Sequence, residues 1–339
     1  MNKILIFGYF GFVTNQLDGQ TVKTRAVYEL LRERDDVAVR YADSQAFRSS
    51  PMSVFRLLRD LLWCETLIWL PAHNNLKAFF RPLMLLSKIA GFSIVYVVIG
   101  GWLSEILKSL SYHRKHLGEI QAILVENQTT VSELQKAYGY KNLAIIPNFR
   151  FSRPRYRLNE SSSDGLRLVF MARVDKNKGL ETIEKLCENP DLRFSIDFYG
   201  PINADHADYF NRLISKYSNL AYKGKLQPED INETLIDYDA MILPTRYYTE
   251  GLPGSIVDAY MAGLPVLVTR WKHAEEFVTD GVTGFIADFD NPVPDIERAI
   301  CFLSADRDQL CRMKVHAAEE AAKYASESAK GVLSKYIFS

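Results

Sequence analysis

The chain of 339 residues is long enough for two domains of ordinary size, each with a substantial core. Hydrophobic residues make up 47% and charged residues 24%, which is typical of globular proteins and excludes a disordered chain, a collagen and a coiled-coil rod. The 41 basic and 41 acidic side chains balance, and this argues against a nucleic-acid-binding protein.

The balanced total conceals an uneven distribution of charge along the chain. Residues 1–150 carry 18 basic and 12 acidic side chains, whereas the remaining residues carry 23 and 29. A basic first half and an acidic second half indicate that the two halves bind different partners.

The cysteines and the apolar runs indicate where the protein functions. The four cysteines lie far apart and form no C-x-x-C pair, so we expect neither a zinc site nor disulfides, and we expect a cytoplasmic protein. The first 13 residues are more typical of a buried strand than of a signal peptide. No apolar run reaches the roughly 18 residues of a transmembrane helix.

Short apolar runs alternate with amphipathic stretches through the first half of the chain. This alternation of strands and helices predicts a parallel sheet covered by helices on both faces. The predicted strands span 4–7, 37–41, 66–70, 93–99, 122–125 and 144–146, and the predicted helices span 22–34 and 76–90.

The same alternation of apolar runs and amphipathic stretches resumes after a polar, Ser- and Arg-rich segment at 150–165, which we interpret as a linker. We therefore expect an α/β protein with a first domain at 1–150, a linker at 151–165 and a second domain at 166–319. Two Rossmann-like domains with parallel sheets facing a central cleft are the predicted architecture. In the second half, strands are predicted at 166–171, 193–199, 240–243 and 265–269, and helices at 179–187, 207–216, 256–261 and throughout 295–335.

Two cations follow the first strand of the second half, in the sequence MARVDKNKGL at 171–180. Arg173 and Lys178 lie between a predicted strand and a predicted helix, where a planar guanidinium and a mobile ammonium suit a diphosphate. The alternative is that both are ordinary surface charges at a loop.

Two carboxylates flank a glycine-rich turn in the sequence at 244–269. Gly251 and Gly254 permit close approach of a ligand to the backbone, and the helix that begins near Ser255 offers unpaired N–H groups to an anion. Glu250 precedes the turn and is placed to accept hydrogen bonds from sugar hydroxyls, whereas Asp258 lies one helical turn further on, near enough to bind a ribose. The alternative is a turn with a solvated Glu and a surface Asp.

Together these blocks resemble the retaining nucleotide-sugar glycosyltransferases of family 4, which have the GT-B fold. IIPNF at 145–149, LAYKGKL at 220–226 and HAEEFVTDGVTGFIA at 273–287 are similar to further blocks of that family. The final helical stretch, about 320–339, resembles the helix with which the family completes its first domain.

The resemblance implies a role for each candidate residue. Arg173 and Lys178 would hold the donor diphosphate and neutralise the leaving nucleotide in place of a metal ion, so neither metal nor cofactor is expected. Glu250 would bind the donor sugar. Asp258, which is one methylene shorter than the usual Glu, would bind the ribose. The remaining donor-binding residues would be Gly19, Leu226, Gly251, Leu252, Pro253 and Gly254.

The sequence departs from the family pattern in the first domain. Many relatives carry a His after the fourth strand, but this chain has VVIGGW at 97–102. His73 is the only well-placed imidazole, and it would orient the acceptor or the donor sugar. The alternative is a loop His with no catalytic role.

Three stretches of the first half combine basic residues with large apolar ones, namely 53–63, 76–92 and 105–117. Such segments bind anionic bilayers, so the inner face of the cytoplasmic membrane is a candidate partner. The alternative is that their apolar residues belong to the core and their bases are solvated.

The function that follows is a retaining glycosyltransferase of cell-surface polysaccharide or lipopolysaccharide assembly. It would move a hexose-type sugar from a nucleotide-sugar, UDP- rather than GDP-linked, to a glycan or lipid-linked saccharide. Two alternatives stay open at this point: a catalytically silent subunit that binds sugar nucleotides, and a sugar-nucleotide epimerase on the same fold.

Overall fold

The computed structural model describes residues 1–14, 16, 18–48, 50, 52–157 and 165–337. The chain divides into two compact units. The first comprises Met1–Phe149 with Ser326–Ser339, and the second comprises Arg150–Ala325. The predicted linker lies partly outside the described residues, and its residues 151–157 belong to the second unit.

The first unit is built on a parallel sheet of six strands in the order β2-β1-β3-β4-β5-β6. Its strands are β1 Asn2–Gly8, β2 Val37–Asp43, β3 Thr66–Leu70, β4 Ser93–Val97, β5 Ala122–Val125 and β6 Leu143–Ile145. Its helices are α1 Gly19–Arg32, α2 Met52–Trp63, α3 His73–Ala90, α4 Leu103–Leu107, α5 Ser111–His116 and α6 Gln128–Tyr138, together with the last helix of the chain, Ser326–Ile337.

Both faces of this sheet are buried, as the apolar runs predict. Ile4 and Ile6 pack into one cluster, whereas Leu5 and Phe7 pack into the other, because successive side chains of a strand point to opposite faces. The last helix packs Ala329, Leu333 and Ile337 into the cluster that contains Ile4.

The second unit is also built on a parallel sheet of six strands, in the order β12-β11-β10-β7-β8-β9. Its strands are β7 Leu166–Met171, β8 Phe194–Tyr199, β9 Leu220–Gly224, β10 Ala240–Leu243, β11 Val266–Thr269 and β12 Gly284–Ala287. Its helices are α7 Leu180–Cys187, α8 Ala207–Lys216, α9 Ile231–Leu235, α10 Gly254–Met261, α11 Ala274–Phe277, α12 Val293–Ala305 and α13 Arg307–Glu320, so the last helix of the chain is α14. The predicted α/β class with two parallel sheets is confirmed.

The stretch 295–335, which is predicted to be helical throughout, is helical except at Asp306 and Ala325. Helix α12 ends at Ala305, because Asp306 leaves the helical conformation and its side chain accepts a hydrogen bond from the Gln309 backbone N–H at 2.8 Å. A second break occurs at Ala325, which is extended and separates a short 3₁₀ turn from α14. The chain passes from the second unit to the first at this residue.

The three basic and apolar segments have different surroundings. Segment 53–63 lies in α2, and its only carboxylate, Asp60, is buried and paired with Arg40 and Arg59. In segment 105–117, His113 is buried: its ring stacks on Phe80, and its Nε2 lies 3.1 Å from the backbone oxygen of Leu76. Burial lowers the pKa of His113. Among the described residues, no helix has the length and apolar character needed to span a bilayer.

Candidate donor-binding site

Most candidate donor residues of the second unit follow two neighbouring strands, and Leu226, which follows β9, is the exception. Strands β7 and β10 pair in parallel, so the loops that follow them leave the same edge of the sheet. Arg173 and Lys178 lie in the loop after β7, and Glu250 lies in the loop after β10. This strand order brings together side chains that are 72 positions apart in the sequence.

Lys178 and Glu250 form a direct ion pair at this edge, between the ammonium nitrogen and Oε2. Both side chains are largely shielded, with 22% of Lys178 and 17% of Glu250 exposed. Thr245, which is fully buried, lies with its hydroxyl 3.3 Å from the same carboxylate oxygen. The pair therefore holds a positive and a negative group side by side where a ligand can reach them.

The two loops are also joined through the backbone. The carbonyl of Asn177 accepts a hydrogen bond from the Arg246 N–H at 2.8 Å, and the Thr245 hydroxyl lies 3.2 Å from the same oxygen. Lys178 follows Asn177 directly, so its ammonium is positioned relative to the β10 loop by main-chain contacts. Thr245 and Arg246 were not among the residues predicted from the sequence.

Gly179 allows this close approach of the two loops. Its φ is +93°, and a Cβ at this position would lie 2.1 Å from the carbonyl oxygen of Pro244. We predict that Gly179→Ala destabilises the second unit by at least about 2 kcal/mol, since backbone strain and a backbone clash add together. Gly139→Ala is the matched control, because Gly139 has φ +70° but no atom within 4 Å of its Cβ position, and strain of about 1 kcal/mol is expected there. Urea unfolding of both variants measures the difference, and equal losses would contradict this account of the loop contact.

Arg173 is exposed and follows β7 directly. The positive charge of Arg173 helps to lower the pKa of Asp175. Burial of Asp175 raises this pKa, but hydrogen bonds from the Asn203 side chain and from the Asn177 N–H have the larger combined effect. The pKa of Asp175 therefore lies below its usual value. The role of Arg173 toward a diphosphate stays a prediction.

The Gly251–Gly254 loop leads directly into α10. Gly251, Leu252 and Pro253 are buried, whereas Gly254 and Ser255 are half-buried. No side chain caps this helix, and the first backbone donor with an internal partner is that of Ile256, which bonds to the Pro253 carbonyl at 3.0 Å. The helix N-terminus therefore offers backbone N–H groups and the positive end of its dipole, four residues after Glu250 in the sequence.

Asp258 has a partner that the sequence did not reveal. The Arg150 guanidinium binds it with two hydrogen bonds, Nε to Oδ1 at 2.5 Å and Nη2 to Oδ2 at 2.8 Å. Arg150 Nη2 also donates to the Gly254 carbonyl at 3.0 Å. Only 9% of the Asp258 side chain is exposed, so its carboxylate is engaged within the protein, and its predicted contact with a ribose stays a prediction.

Leu226, the predicted neighbour of the nucleotide base, is half-buried and packs against the core of the second unit. It lines a cavity of about 530 Å³ together with Tyr199 and Tyr238. The other five residues that line this cavity are all charged or polar, namely Arg167, Asp230, Glu233, Thr234 and Asp237. The structure does not bring Leu226 into the Lys178–Glu250 cluster by any contact.

The remaining predicted residues belong to the first unit. Gly19 is the exposed first residue of α1, whose N-cap is Asp18, and no atom lies within 4 Å of its Cβ position. His73 is exposed at the start of α3, and its ring centroid lies 5.0 Å from that of Trp102. Among the described residues, no cluster of three His, Cys, Asp or Glu side chains is arranged to hold a metal ion.

The family comparison matches the second unit. Residues 165–306 match the family model described as glycosyl transferases group 1. An uncharacterised 41.2 kDa protein in the cps region of Klebsiella pneumoniae is 24% identical over 134 residues, which are 39% of this chain. The match spans about a third of that relative, 36% of its length.

Solved structures match most or all of the chain. HepE from Anabaena, solved in complex with UDP and glucose, has a TM-score of 0.74 at 15% identity, with 100% of each chain covered. The sucrose-phosphate synthase of Thermosynechococcus elongatus has a TM-score of 0.74 at 13% identity, covering 100% of this chain and 99% of its own. The pneumococcal O-GlcNAc transferase GtfA, in complex with UDP and GlcNAc, has a TM-score of 0.66 at 15% identity over 84% of this chain and 59% of its own.

The observed sheets agree with the structural similarities, since both units have the Rossmann-like architecture. The segment that matches the family model contains both Lys178 and Glu250. Residues 165–306 are therefore similar to the group 1 glycosyl transferases, and the chain has the GT-B fold of two Rossmann-like units.

Proposed function

We propose that the protein transfers a hexose-type sugar from a UDP-sugar to a saccharide or lipid-linked saccharide acceptor during assembly of a cell-surface polysaccharide. The observation that carries this proposal is the Lys178–Glu250 pair, whose Glu250 precedes the first residue of α10 by four positions. An ammonium, a carboxylate and unpaired backbone N–H groups supply the chemistry that a sugar diphosphate requires. The UDP bound to HepE and the cps-region relative in Klebsiella support the choice of donor and of pathway.

The transfer is proposed to retain the configuration of the sugar. The acceptor hydroxyl attacks the anomeric carbon on the face that UDP leaves, the bond between this carbon and the phosphate oxygen breaks, and the departing phosphate takes the hydroxyl proton. Lys178 and Arg173 neutralise the charge that develops on the phosphate, a task that a divalent cation performs in other enzymes. Glu250 accepts hydrogen bonds from the hydroxyls of the donor sugar.

Thermal unfolding with a panel of nucleotides tests the donor assignment. A nucleotide at about 100 times its Kd stabilises the protein by about 2.7 kcal/mol, a shift of about 5–10 °C. We expect UDP and a UDP-sugar to give this shift, GDP and CMP not to give it, and EDTA to leave it unchanged. Arg173→Ala and Lys178→Ala are expected to remove most of the shift. A shift with GDP alone would overturn the choice of UDP, and no shift with any nucleotide would overturn the donor site.

We also propose that the first unit contacts an anionic membrane surface, as a lipid-linked acceptor requires. Helix α2 exposes Phe55 and Leu62, and the neighbouring α3 exposes Leu85 and Ile89, each with more than half of its surface accessible. Within α2 and α3 the only carboxylate, Asp60, is buried. The cations of these helices are Arg56, Arg59, Lys77, Arg81 and Lys88. Exposed apolar side chains on two neighbouring helices that also carry these cations suit an anionic bilayer.

Vesicle co-sedimentation tests this membrane contact. The double variant Phe55→Ser/Leu62→Ser is expected to bind vesicles of phosphatidylethanolamine and phosphatidylglycerol at least about tenfold more weakly than the parent chain, because each apolar side chain contributes about 1.5–3 kcal/mol when buried. Phe302→Ser in the second unit is the control, since Phe302 is 45% exposed but lies outside this surface. Equal binding by all three proteins, or equal binding to neutral phosphatidylcholine vesicles, would contradict the proposal.

A further inference from the structure

Two aromatic rings lie together at the carboxyl edge of the first sheet, and the proposed donor site does not use them. His73 follows β3 and Trp102 follows the neighbouring strand β4. Their ring centroids are 5.0 Å apart and the ring planes are inclined by 51°. His73 is exposed and Trp102 is half-buried, so both rings are accessible to a ligand.

The position of Trp102 is fixed by its own loop. Its indole Nε1 donates a hydrogen bond to the carbonyl of Ile99 at 2.7 Å. The indole packs on Gly100, whose φ is +89° and whose Cβ, if present, would lie 3.0 Å from Trp102 Cδ1. A side chain at residue 100 would therefore displace the indole or strain the backbone, and glycine permits the observed arrangement.

A buried ion pair is hydrogen-bonded to the backbone of this loop. The Gly100 N–H donates to Glu126 Oε2 at 3.2 Å, and Glu126 Oε1 accepts from the Lys23 ammonium at 2.8 Å. Lys23 also donates to the carbonyl of Ile146 at 3.0 Å. Both charged side chains are almost fully buried, at 1% and 2% exposure, and burial lowers the pKa of Lys23 although Glu126 opposes this effect.

Such a pair is costly to bury. It connects α1 to the residues that follow β4, β5 and β6, and the Gly100 N–H joins the loop that carries Trp102 to it. A preorganised aromatic surface binds a ligand without the entropic cost of ordering a side chain.

The two rings offer complementary chemistry. The indole presents a large apolar face that packs against C–H groups. The pKa of His73 is lowered, first by partial desolvation and then by Lys77, and this favours the neutral imidazole, which has one donor and one acceptor nitrogen. A pyranose ring has matching features, namely an apolar C–H face and a rim of hydroxyl groups.

We propose that Trp102 and His73 form a subsite for a hexopyranose ring, with the C–H face of the sugar on the indole and its hydroxyls hydrogen-bonded to the imidazole. The proposal rests on the proposed function, in which the sugar is either that of the acceptor saccharide or that of the nucleotide donor. Both sources share the pyranose chemistry, and the experiment distinguishes them.

Fluorine NMR of the full chain labelled with 5-fluorotryptophan tests the subsite. The sequence has four tryptophans, at 63, 69, 102 and 271, and Trp102→Phe assigns the resonance of interest. The probes are the methyl glycosides of glucose, galactose and N-acetylglucosamine, and UDP, UDP-glucose and UDP-N-acetylglucosamine. We expect the Trp102 resonance to shift saturably with a sugar, and the resonances of the buried Trp69 and Trp271 to stay in place. His73→Gln is expected to raise the sugar Kd by about two- to tenfold through a lost hydrogen bond.

Each outcome has a distinct meaning. A shift with a methyl glycoside supports the subsite and assigns it to the acceptor, whereas a shift with a UDP-sugar but not with UDP supports it and assigns it to the donor sugar. A Trp102 resonance that no sugar moves, while UDP still raises the melting temperature, overturns the subsite and leaves the proposed function standing. If the parent chain binds no nucleotide, the proposed function is contradicted. The titration with methyl glycosides then tests the sugar subsite independently.

Discussion

Lys178→Ala is expected to lower the kcat of sugar transfer by about 10²–10³-fold, which is the usual effect of removing one preorganised group that stabilises charge in a transition state. The ammonium of Lys178 is shielded from water on the carboxyl edge of the second sheet, where its interaction with a developing negative charge is stronger than in bulk solvent. Release of UDP from the UDP-sugar, followed at saturating donor, measures the change.

Lys176→Ala is the matched control for this substitution. Lys176 lies in the same short 3₁₀ helix, residues Lys176–Lys178, but its ammonium pairs with Glu181 at 3.3 Å on the surface, where the two side chains are 42% and 65% exposed. A surface pair of this kind contributes at most about 1 kcal/mol to stability, and it is not part of the cluster with Glu250. We therefore expect nearly unchanged kcat for Lys176→Ala.

The pattern of the kinetic constants distinguishes the roles of Lys178. A raised KM with unchanged kcat would show that Lys178 binds the donor equally in the ground state and the transition state, and would contradict the proposed neutralisation of the leaving group. Glu250→Gln in the Lys178→Ala background completes a double-mutant cycle. Because the two groups are in direct contact, we expect their effects to be non-additive.

Local sequence patterns predict the elements of this protein but not the order of its strands. The predicted strands 66–70 and 166–171 agree with the observed ones, since continuous apolar runs bounded by polar residues identify buried strands. The pairing of β7 with β10, which places Lys178 against Glu250, depends on long-range packing that no local pattern encodes. The resemblance to a known family, and not periodicity, placed these two residues in one site.

The buried charges also show that local sequence patterns do not predict long-range contacts. Lys23 lies among the apolar positions of α1, where a pattern-based reading assigns a lysine to solvent, yet its ammonium is buried against Glu126, which is 103 positions away. Its partner belongs to the end of another strand, so only the fold reveals the pair. By contrast, the break between α12 and α13 has a local signal, because Asp306 followed three positions later by Gln309 is a recognisable N-cap sequence.

Arg150→Met is expected to destabilise the second unit by about 3 kcal/mol, because it leaves the Asp258 carboxylate buried without its partner. Arg150 donates two hydrogen bonds to this carboxylate and a third to the Gly254 carbonyl, so its loss also releases the first turn of α10. Urea unfolding reports the loss of stability. Amide hydrogen exchange in residues 254–261 reports whether the loss is local to that helix.

Arg155→Met is the matched control for Arg150→Met, because Arg155 lies five residues further along the chain. Arg155 pairs with Glu233 at 2.9 Å, but the two side chains are 73% and 63% exposed, so we expect a loss below about 1 kcal/mol. Adding Asp258→Leu to Arg150→Met removes the unpaired carboxylate and is expected to recover much of the stability, as replacement of a buried ion pair by apolar groups often does. Equal stability of Arg150→Met and Arg155→Met would contradict the expected contribution of the buried Arg150–Asp258 pair.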